Sequence, residues 1–452
     1  MVAIKAREQR FSIEGVPPVA EAALAPASPI TERAAAPIDR ELWASLATIA
    51  KSTPATATSA IPVRDSRMAP KLRLDLIASA EKAIVASTYG ITPDDGGIAF
   101  VEALIAARRN GRTVVLTIDS MANAFGSVVG TRVKDLAYRL RELRFYGGHV
   151  VFYGGAREQA HTLGAGTHLK MLAIDGERLL IGGRNIGTNF EDWPDYDVLF
   201  AGEIAPRVLL DAVPFLGRGD AVWDRALLDR VRCQREYDAA IADLRKLAAI
   251  KLSRARREGA GGPRYLPVIG DPLTQHERAG TATTRALVKT IDSTKRSLVM
   301  SSNYARPFPA IRDALLRARA RDVDVTVITT GATGATVSPV PYVDSIDDYR
   351  WMRAHGITVI ETNHIEHGKL YLFDDNLLAF GSYNVEAHSD ERLVESLIFT
   401  NDRKLIDAAE GALLDTATNR QESRDEHDKA AGYGFFERVW LEVQALLGGP
   451  FI

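Results

Sequence analysis

The sequence has a single cysteine, Cys233, so an intramolecular disulfide is excluded. It has no run of eighteen apolar residues, which predicts that there is no transmembrane helix. Residues 1–10 carry charged side chains with no apolar segment behind them, and this is not the pattern of a secretory signal. An excess of one charge is also missing. The 56 basic and 58 acidic residues give −2, so any patch that attracts nucleic acid or anionic lipid must be local.

Length and apolar content indicate a large core. The 452 residues exceed the usual size of one domain and 46% of them are hydrophobic, so we expect two compact units or one large duplicated unit. Residues 1–62 differ from the rest because they are rich in Ala, Pro, Ser and Thr, and only residues 42–49 have a helical pattern. We interpret 1–62 as an Ala/Pro-rich, mostly disordered leader with one docking helix.

From residue 72 onward, segments with strand character alternate with segments of helical character, and the order repeats in the second half. The first half contains a predicted strand at 83–86, a helix at 98–109 and a strand at 113–118. The second half contains a strand at 297–300, a helix at 311–320 and a strand at 323–328. Repeated strand–helix–strand units predict an α/β fold in which each half has a mixed, largely parallel sheet flanked by helices.

One polar motif occurs once in each half. Its members are His168, Lys170, Asp175 and Asn185 in the first copy and His367, Lys369, Asp374 and Asn384 in the second. In both copies Lys follows His by two positions, Asp follows it by seven and Asn by seventeen. The two copies lie 199 residues apart, which indicates duplicated domains, since solenoid repeats have periods of roughly 20–50 residues.

The residue types of this motif suit a phosphate site. Residues two apart in a strand project from the same face, so each half would present an imidazole beside an ammonium group. Asp175 and Asp374 begin turns, and we regard them as structural members of the catalytic motif more than as proton carriers. The next apolar strand ends at small residues, which let an oxyanion approach the backbone, and Asn then supplies an amide donor. The phosphate-binding candidates are therefore Gly183, Ser382, Asn185 and Asn384.

Two halves that face each other would bring two imidazoles to one phosphorus atom. One His could then attack a phosphodiester to form a phosphohistidine while the other protonates the leaving alkoxide, without a metal. Lys170 and Lys369 would hold the nonbridging oxygens. His364 and His367 are spaced like a metal pair, but a third ligand cluster is missing, so we expect neither a metal nor another cofactor.

The two motifs resemble those of the phospholipase D superfamily, and the resemblance implies two duplicated lobes that share one active site at a pseudo-two-fold interface. It also implies that His168 is the nucleophile and His367 the general acid and base, an assignment that the symmetry of the motifs leaves open. Carboxylates are expected to orient the two imidazoles. Glu395 matches the family's Glu after the second motif, and Asp197 is its counterpart in the first half.

In the stretches 182–187 and 195–198 the chain resembles bacterial cardiolipin synthases and related phosphatidyltransferases, and the similarity spans residues 70–450, although the second-motif stretch 381–389 departs from the synthase pattern. The resemblance implies transfer of a phosphatidyl group to a lipid alcohol. The alternatives are a phospholipase D that releases phosphatidic acid, a nuclease, or a membrane-binding interaction protein with a residual site. A nuclease would be expected to carry a strong basic groove, and the charge balance does not favour one.

We therefore predict four segments: the leader 1–62, a first lobe 63–232, a helical basic connector 233–262, and a second lobe 263–452 with a C-terminal amphipathic helix at 435–447. The expected partners are phospholipids and a peripheral membrane surface, with no nucleic acid. The expected location is cytoplasmic, on the inner membrane face. Other residues that either border the cleft or have an ordinary structural role are His161, His388, Tyr89 and Tyr304, whereas Phe215 and Trp223 are expected in the core.

Overall fold

The computed structural model describes residues 36–37, 39–120, 122, 132–154, 165–218, 220–221, 227–258, 261–275, 280–335 and 340–419. The strands of the first sheet are β1 (Ser59–Val63), β2 (Ala83–Thr88), β3 (Thr113–Asp119), β4 (His149–Tyr153), β6 (Lys170–Ile174), β7 (Arg178–Gly182), β8 (Asp197–Ala201) and β9 (Asp220–Ala221). They lie in the order β1-β8-β7-β6-β2-β3-β4-β9. The short strand β5 (Gly166–Thr167) leaves this sheet and pairs with a strand of the second sheet.

The second sheet repeats this arrangement. Its strands are β10 (Tyr265–Gly270), β11 (Ser297–Ser301), β12 (Asp324–Thr330), β13 (Thr358–Thr362), β14 (Leu370–Phe373), β15 (Leu377–Gly381) and β16 (Leu393–Thr400). They lie in the order β10-β16-β15-β14-β11-β12-β13. The central strands have almost only buried residues, because helices cover the sheets and water does not reach their faces.

Helices flank both sheets. Those before the second lobe are α1 (Arg40–Ala50), α2 (Met68–Ala78), α3 (Asp95–Arg109), α4 (Val133–Phe145), α5 (Ile204–Leu216) and α6 (Leu227–Glu258). Those of the second lobe are α7 (Pro272–Gln275), α8 (Ala282–Ser293), α9 (Pro309–Arg319), α10 (Val340–Ala354), α11 (Ala387–Glu391) and α12 (Arg403–Asn419). No described helix is long and apolar enough to cross a membrane. The predicted α/β architecture of two helix-flanked mixed sheets is confirmed.

The sheets are less parallel than the alternation of strands and helices suggested. In the first sheet the parallel neighbours are β2, β3 and β4, and in the second they are β11, β12 and β13. The remaining neighbours within the described strands of the two sheets are antiparallel. The reason is that helical crossovers connect only the early strands of each half, whereas the motif strands β6 and β14 continue through tight hairpins.

The two hairpins after the motif strands have the same construction. Asp175 has φ 56° and Gly176 has φ 66°, while Asp374 and Asp375 have φ 49° and 58°. Two consecutive residues with positive φ form the turn that matches the right-handed twist of adjoining strands. Because β6 begins at Lys170 and the turn follows Ile174, Asp175 lies at the far end of the strand, roughly 16 Å from Lys170 at about 3.3 Å per residue.

The segment 36–63 connects the two lobes. Helix α1 begins after Asp39, whose carboxylate accepts backbone N–H groups of the first turn, and buries Leu42, Trp43 and Leu46 in the core of the second lobe. After it, Ala55 pairs with Tyr265, and β1 then joins the first sheet beside β8. The predicted leader boundary at residue 62 thus falls inside a strand, whereas residues 1–35 lie outside the described part.

Aromatic rings from both lobes meet between the sheets. Phe200 of β8 and Phe380 of β15 stack with ring centroids 6.4 Å apart, and Tyr196 meets Phe380 edge-on at 5.5 Å. Tyr196 also donates its hydroxyl hydrogen to the carbonyl of Leu405, at 3.0 Å. These side chains are buried in one apolar cluster with residues of both sheets, which fixes the lobes relative to each other.

The connector is one long helix, α6, that packs against α5 and the Asp175 hairpin. Lys251 pairs there with Glu177, and Arg256 pairs with Glu203 at 2.8 Å. Two of its basic side chains are thus engaged within the molecule, at the end of the sheet opposite the motif histidines. Phe215 is buried in α5, whereas Trp223, His161 and the predicted C-terminal helix at 435–447 lie outside the described residues.

Candidate active site

His168 lies between β5 and β6, at the point where the first lobe touches the second. Strand β5 runs parallel to β16, and the His168 N–H donates to the carbonyl of Val394 at 2.8 Å. The Nδ1 atom of the ring lies 3.0 Å from Glu395 Oε1 and 2.8 Å from the carbonyl oxygen of Ser382. The first histidine is therefore positioned mainly by groups of the opposite lobe.

His367 occupies the corresponding place just before β14. Its N–H donates to the carbonyl of Pro194 at 3.2 Å, and its Nδ1 lies 2.5 Å from Asp195 Oδ2. Both acceptors belong to the first lobe. The two predicted halves thus exchange carboxylates: Glu395 of the second lobe contacts the imidazole of the first, and Asp195 of the first contacts the imidazole of the second.

Asp195 replaces Asp197 as the carboxylate that orients His367. Strand register explains the difference. Gly182 pairs with Asp197 and the equivalent Gly381 pairs with Leu397, so Asp197 corresponds to Leu397 and not to Glu395. Asp195 and Glu395 both lie two residues before those positions. Asp197 instead contacts Arg184 Nε at 3.3 Å and an Arg73 guanidinium nitrogen at 3.5 Å, in a buried ionic cluster below the loop that carries Asn185.

The hydrogen bonds determine which ring nitrogens are available. The carbonyl oxygen of Ser382 can only accept, so Nδ1 of His168 carries the hydrogen and Nε2 of the neutral ring has a free lone pair. The carboxylate of Asp195 favours the same tautomer in His367. Both histidines can therefore react through Nε2, one by attack on phosphorus and the other by proton transfer.

The two motif lysines are buried beside the histidines. Lys170 Nζ donates to the carbonyl of His168 at 3.0 Å, and Lys369 Nζ donates to the carbonyl of His367 at 2.5 Å. The Lys170 ammonium also lies 5.3 Å from the ring centroid of Tyr89. Each lysine has three donors, so each can still bind a phosphate oxygen.

Burial and mutual charge set the protonation of the site. Burial lowers the pKa of His168 well below its ordinary value, and the charges of the two lysines lower it further. Burial, followed by the charge of Lys369, lowers the pKa of His367 to about 3. Burial also lowers the pKa of both lysines, with the stronger effect on Lys170. Both imidazoles are consequently neutral near pH 7, as a nucleophile must be.

The two carboxylates differ. Burial raises the pKa of Glu395 to about 7, although the charge of Lys170 and hydrogen bonds from Ser382 and Ser389 oppose this. Burial also raises the pKa of Asp195. The charge of His367, the hydrogen bond with His367 and the charge of Lys369 outweigh burial, so the Asp195 pKa is lowered. The site is thus chemically asymmetric although its backbone is nearly two-fold symmetric.

The four predicted phosphate-binding residues have different surroundings in the structure. Asn185 and Asn384 are buried, and the Oδ1 atom of each lacks a hydrogen-bond partner among the described residues. Gly183 packs closely on the site, because an added Cβ would lie 2.4 Å from Asp195 Oδ1 and 3.2 Å from Lys369 Cδ. At Ser382 the hydroxyl donates to Glu395 and the carbonyl accepts from His168. Both contacts of Ser382 position those two groups.

Asp175 and Asp374 lie away from the reacting groups. The Asp175 carboxylate accepts the N–H groups of residues 81–83 at 2.7–2.9 Å. Asp374 accepts the N–H groups of residues 295–297 in the same way. Each Asp thus ties the motif hairpin to the start of the neighbouring strand.

Several side chains at the site were missed or left open by sequence reasoning. The Trp193 ring lies 5.3 Å from the His367 ring, and no periodic signal marked it because it sits in an irregular loop. Tyr89 meets the His168 ring edge-on at 4.8 Å, so this strand-ending tyrosine does border the site. His388 lies near His168, and its charge lowers the pKa of that ring. No cluster of three metal-ligating side chains occurs among the described residues.

A known protein family and several solved structures resemble this chain or parts of it. The family described as "Cardiolipin synthase, PLD-like domain" matches residues 287–413, which include the second motif. The phosphatidylserine synthase of Haemophilus influenzae Rd KW20 has a similar fold over 91% of this chain and 98% of its own, with a TM-score of 0.66 and 13% identity. No curated protein sequence matches significantly.

Two further solved structures are similar to parts of the chain. Nuc, a phospholipase D family member from Salmonella typhimurium, covers 35% of this chain and 97% of its own at 22% identity, with a TM-score of 0.27. The polyphosphate kinase of Porphyromonas gingivalis covers 85% of this chain and 55% of its own at 12% identity, with a TM-score of 0.46.

A duplicated α/β fold with a histidine–lysine pair from each lobe defines an enzyme of the phosphodiesterase and transferase class. The match over residues 287–413 makes the similarity more specific. This part of the second lobe resembles a PLD-like domain, and the chain shares its fold with a phosphatidylserine synthase.

Proposed function

We propose that this enzyme transfers a phosphatidyl group from a phospholipid to the hydroxyl of a lipid alcohol, in the manner of a cardiolipin synthase, through a phosphohistidine intermediate. The observation that carries the proposal is the exchange of carboxylates between lobes, which leaves two Nε2 atoms available beside two buried lysines. The description of the matching family supports the lipid substrate.

In the first step, Nε2 of His168 attacks phosphorus, and a P–N bond forms as the P–O bond to the leaving alcohol breaks. The leaving alkoxide takes a proton from Nε2 of His367. That histidine is neutral without substrate, but an entering phosphodiester anion offsets the lysine charges and raises its pKa. Asp195 then stabilises the imidazolium through Nδ1.

In the second step, His367 accepts the proton of the incoming alcohol. The alcohol oxygen attacks phosphorus, the P–N bond breaks, and the electron pair returns to His168. Lys170 and Lys369 hold the nonbridging oxygens in both steps, and the amides of Asn185 and Asn384 contribute donors. Because these groups are already oriented in a buried site, the reaction does not require solvent to reorganise around the charge that develops in the transition state.

The acceptor decides between the two leading functions. A lipid alcohol gives a transferase, whereas water gives a phospholipase D that releases phosphatidic acid. We also propose phospholipids as the binding partners, with peripheral association at the inner membrane face. A nuclease is the less favoured function, because two of the connector's basic residues are engaged in ion pairs at the end of the sheet opposite the motif histidines.

The test is incubation of the purified protein with liposomes of phosphatidylglycerol, followed by lipid analysis. Cardiolipin and glycerol are the expected products, and both His168→Ala and His367→Ala should abolish them. His355→Ala is the matched control, since this histidine lies exposed at the end of α10. Phosphatidic acid as the sole product would indicate the hydrolase, and DNA cleavage with inert lipids would indicate the nuclease.

A second measurement addresses the intermediate. In His367→Ala the first step with a good leaving group should proceed while the second is slowed, so label from the phosphatidyl donor should accumulate on His168. Mass spectrometry of the acid-labile phosphopeptide locates it. Label found only on residues other than His168 would refute the assignment of the nucleophile.

A further inference from the structure

Two residues beyond the second motif Asn, the chain places a carboxylate at the rim of the candidate site. Glu386 Oε1 accepts a hydrogen bond from Asn384 Nδ2 at 3.2 Å. Its side chain is 15% exposed, whereas both motif histidines are nearly buried. Glu386 therefore lies between the phosphate-binding amide and solvent, where the non-reacting part of a substrate would pass.

Glu386 faces the cleft and not only its own lobe. Its charge contributes to the raised pKa of Tyr89, the first-lobe residue whose ring touches His168, although burial is the larger cause. It also opposes the lowering of the Lys369 pKa. Charge interactions of this kind require proximity in a low-dielectric environment. The carboxylate is thus close to groups from both halves of the site.

A partly satisfied ionic cluster holds this carboxylate. Arg306 lies 3.5 Å from Glu386 Oε2 and also forms an ion pair with Asp344. One guanidinium is shared by two carboxylates, so these three side chains together carry one net negative charge. Such a cluster attracts hydrogen-bond donors or a cation, and it repels a second anion.

The equivalent position of the first lobe carries no side chain, although Asp94 Oδ2 would lie 3.0 Å from an added Cβ there. The position two residues after Asn185 is Gly187, whose φ of 145° suits glycine, and an added Cβ would lie 1.6 Å from Thr92 Oγ1. A side chain cannot be accommodated there. At this position the Glu386 side chain distinguishes the second lobe from the first, and it lies in the stretch 381–389 that departs from the synthase pattern.

We propose that Glu386 selects the alcohol: it accepts a hydrogen bond from a second donor group of the headgroup, a hydroxyl or an ammonium near the reacting oxygen. The inference rests on the proposed phosphatidyl transfer and names its acceptor class, a polyol or amino alcohol. A simple monohydroxy alcohol would leave the carboxylate without that partner. A largely buried polar group that loses its substrate partner disfavours the wrong substrate.

The experiment separates donor cleavage from acceptor choice. Vesicles contain phosphatidyl-p-nitrophenol, whose coloured leaving group reports cleavage. Equal concentrations of glycerol, ethanolamine and 1-propanol compete as acceptors, and the products are quantified. The native enzyme should favour glycerol or ethanolamine over 1-propanol, and Glu386→Gln should reduce that ratio by about 10- to 100-fold, the range for a hydrogen bond to a charged group.

Two further variants separate a role of Glu386 in acceptor choice from a supporting role. In Glu386→Asp, which keeps the charge, part of the preference should return, whereas Glu410→Gln, an exposed site on α12, should match the native ratio. A larger fall for ethanolamine than for glycerol would identify the ammonium as the partner, and the reverse the hydroxyl. Equal loss of all products with an unchanged ratio would overturn the proposal and leave Glu386 as support for Asn384. Absence of nitrophenol release from the native enzyme would instead refute the proposed function.

Discussion

Glu395 and His168 come from opposite lobes, and Oε1 of one lies 3.0 Å from Nδ1 of the other. The main-chain carbonyl of Ser382 shares the same Nδ1, so the ring is fixed even when the carboxylate changes its protonation. Oriented imidazoles of this kind depend on their acceptors for both tautomer and charge. The contact therefore connects the packing of the lobes directly to reactivity.

Under the proposed mechanism, replacing Glu395 by Gln should lower kcat by about 10²- to 10⁴-fold, because the positive charge on His168 in the proposed phosphohistidine loses its carboxylate partner. The Ser382 carbonyl would keep the ring in place, so binding should change less. Steady-state kinetics with vesicle substrate measure this, and Glu391→Gln, an exposed neighbour, serves as the control. An unchanged kcat would contradict the assigned role.

Asp195 and Asp197 should behave differently although they are two residues apart. Asp195→Asn should reduce kcat strongly and cost less free energy of unfolding than Asp197→Ala, because this carboxylate contacts His367 and not a pair of buried guanidinium groups. Asp197→Ala should destabilise the fold by about 3–5 kcal/mol, because two buried guanidinium groups lose their counter-charge. Urea unfolding monitored together with kcat distinguishes the two. The same profile for both variants would refute the assignment.

Asp175→Ala should impair stability and not chemistry. The carboxylate accepts three backbone N–H groups, and their loss should cost on the order of 3 kcal/mol. Asp374 makes similar bonds but is more exposed, so Asp374→Ala should cost less. Thermal unfolding gives the ranking, and kcat per folded molecule should remain close to the native value in both variants. A catalytic defect without destabilisation would restore these residues to the reaction.

Acid should destabilise the protein partly through His367. Burial and the charge of Lys369 lower its pKa from 6.5 to about 3, so between these values the unfolded chain binds a proton that the folded chain does not. The free energy of unfolding therefore falls as pH decreases from 6.5, by about 1.4 kcal/mol per pH unit from this group alone. Glu395, with its pKa raised to about 7, acts in the opposite direction.

This prediction is measured as a difference in slope. The free energy of unfolding from urea titrations between pH 6.5 and 5 should fall less steeply for His367→Phe than for the native protein. Glu395 is present in both proteins, so its contribution is common to them. Parallel slopes would mean that His367 takes up its proton normally in the folded state.

The sequence was informative where residue type and spacing act together. The two His–Lys pairs, the early strands and the helices between them follow from a repeated pattern and from apolar periodicity. The carboxylate that orients His367 could not be identified from the sequence. Glu395 is fourteen positions after Gly381, whereas Asp195 and Asp197 are thirteen and fifteen positions after Gly182. Counting cannot decide between those two; only strand register does.

Other features depend on tertiary contacts that no local pattern encodes. Trp193 reaches His367 from an irregular loop in the other lobe. Helix α1 was marked by the helical pattern at 42–49, but that pattern did not show that the helix buries its apolar side chains in the second lobe. In each case the deciding partner is distant along the chain.

The exchange of carboxylates has a consequence for how this enzyme can change over evolutionary time. A substitution that shifts one half against the other would withdraw the acceptors from both rings together, so the halves cannot diverge in relative placement while activity is selected. Their peripheral loops do not form these shared contacts. Diversity among descendants should accumulate there, around an interior that is inherited as one piece.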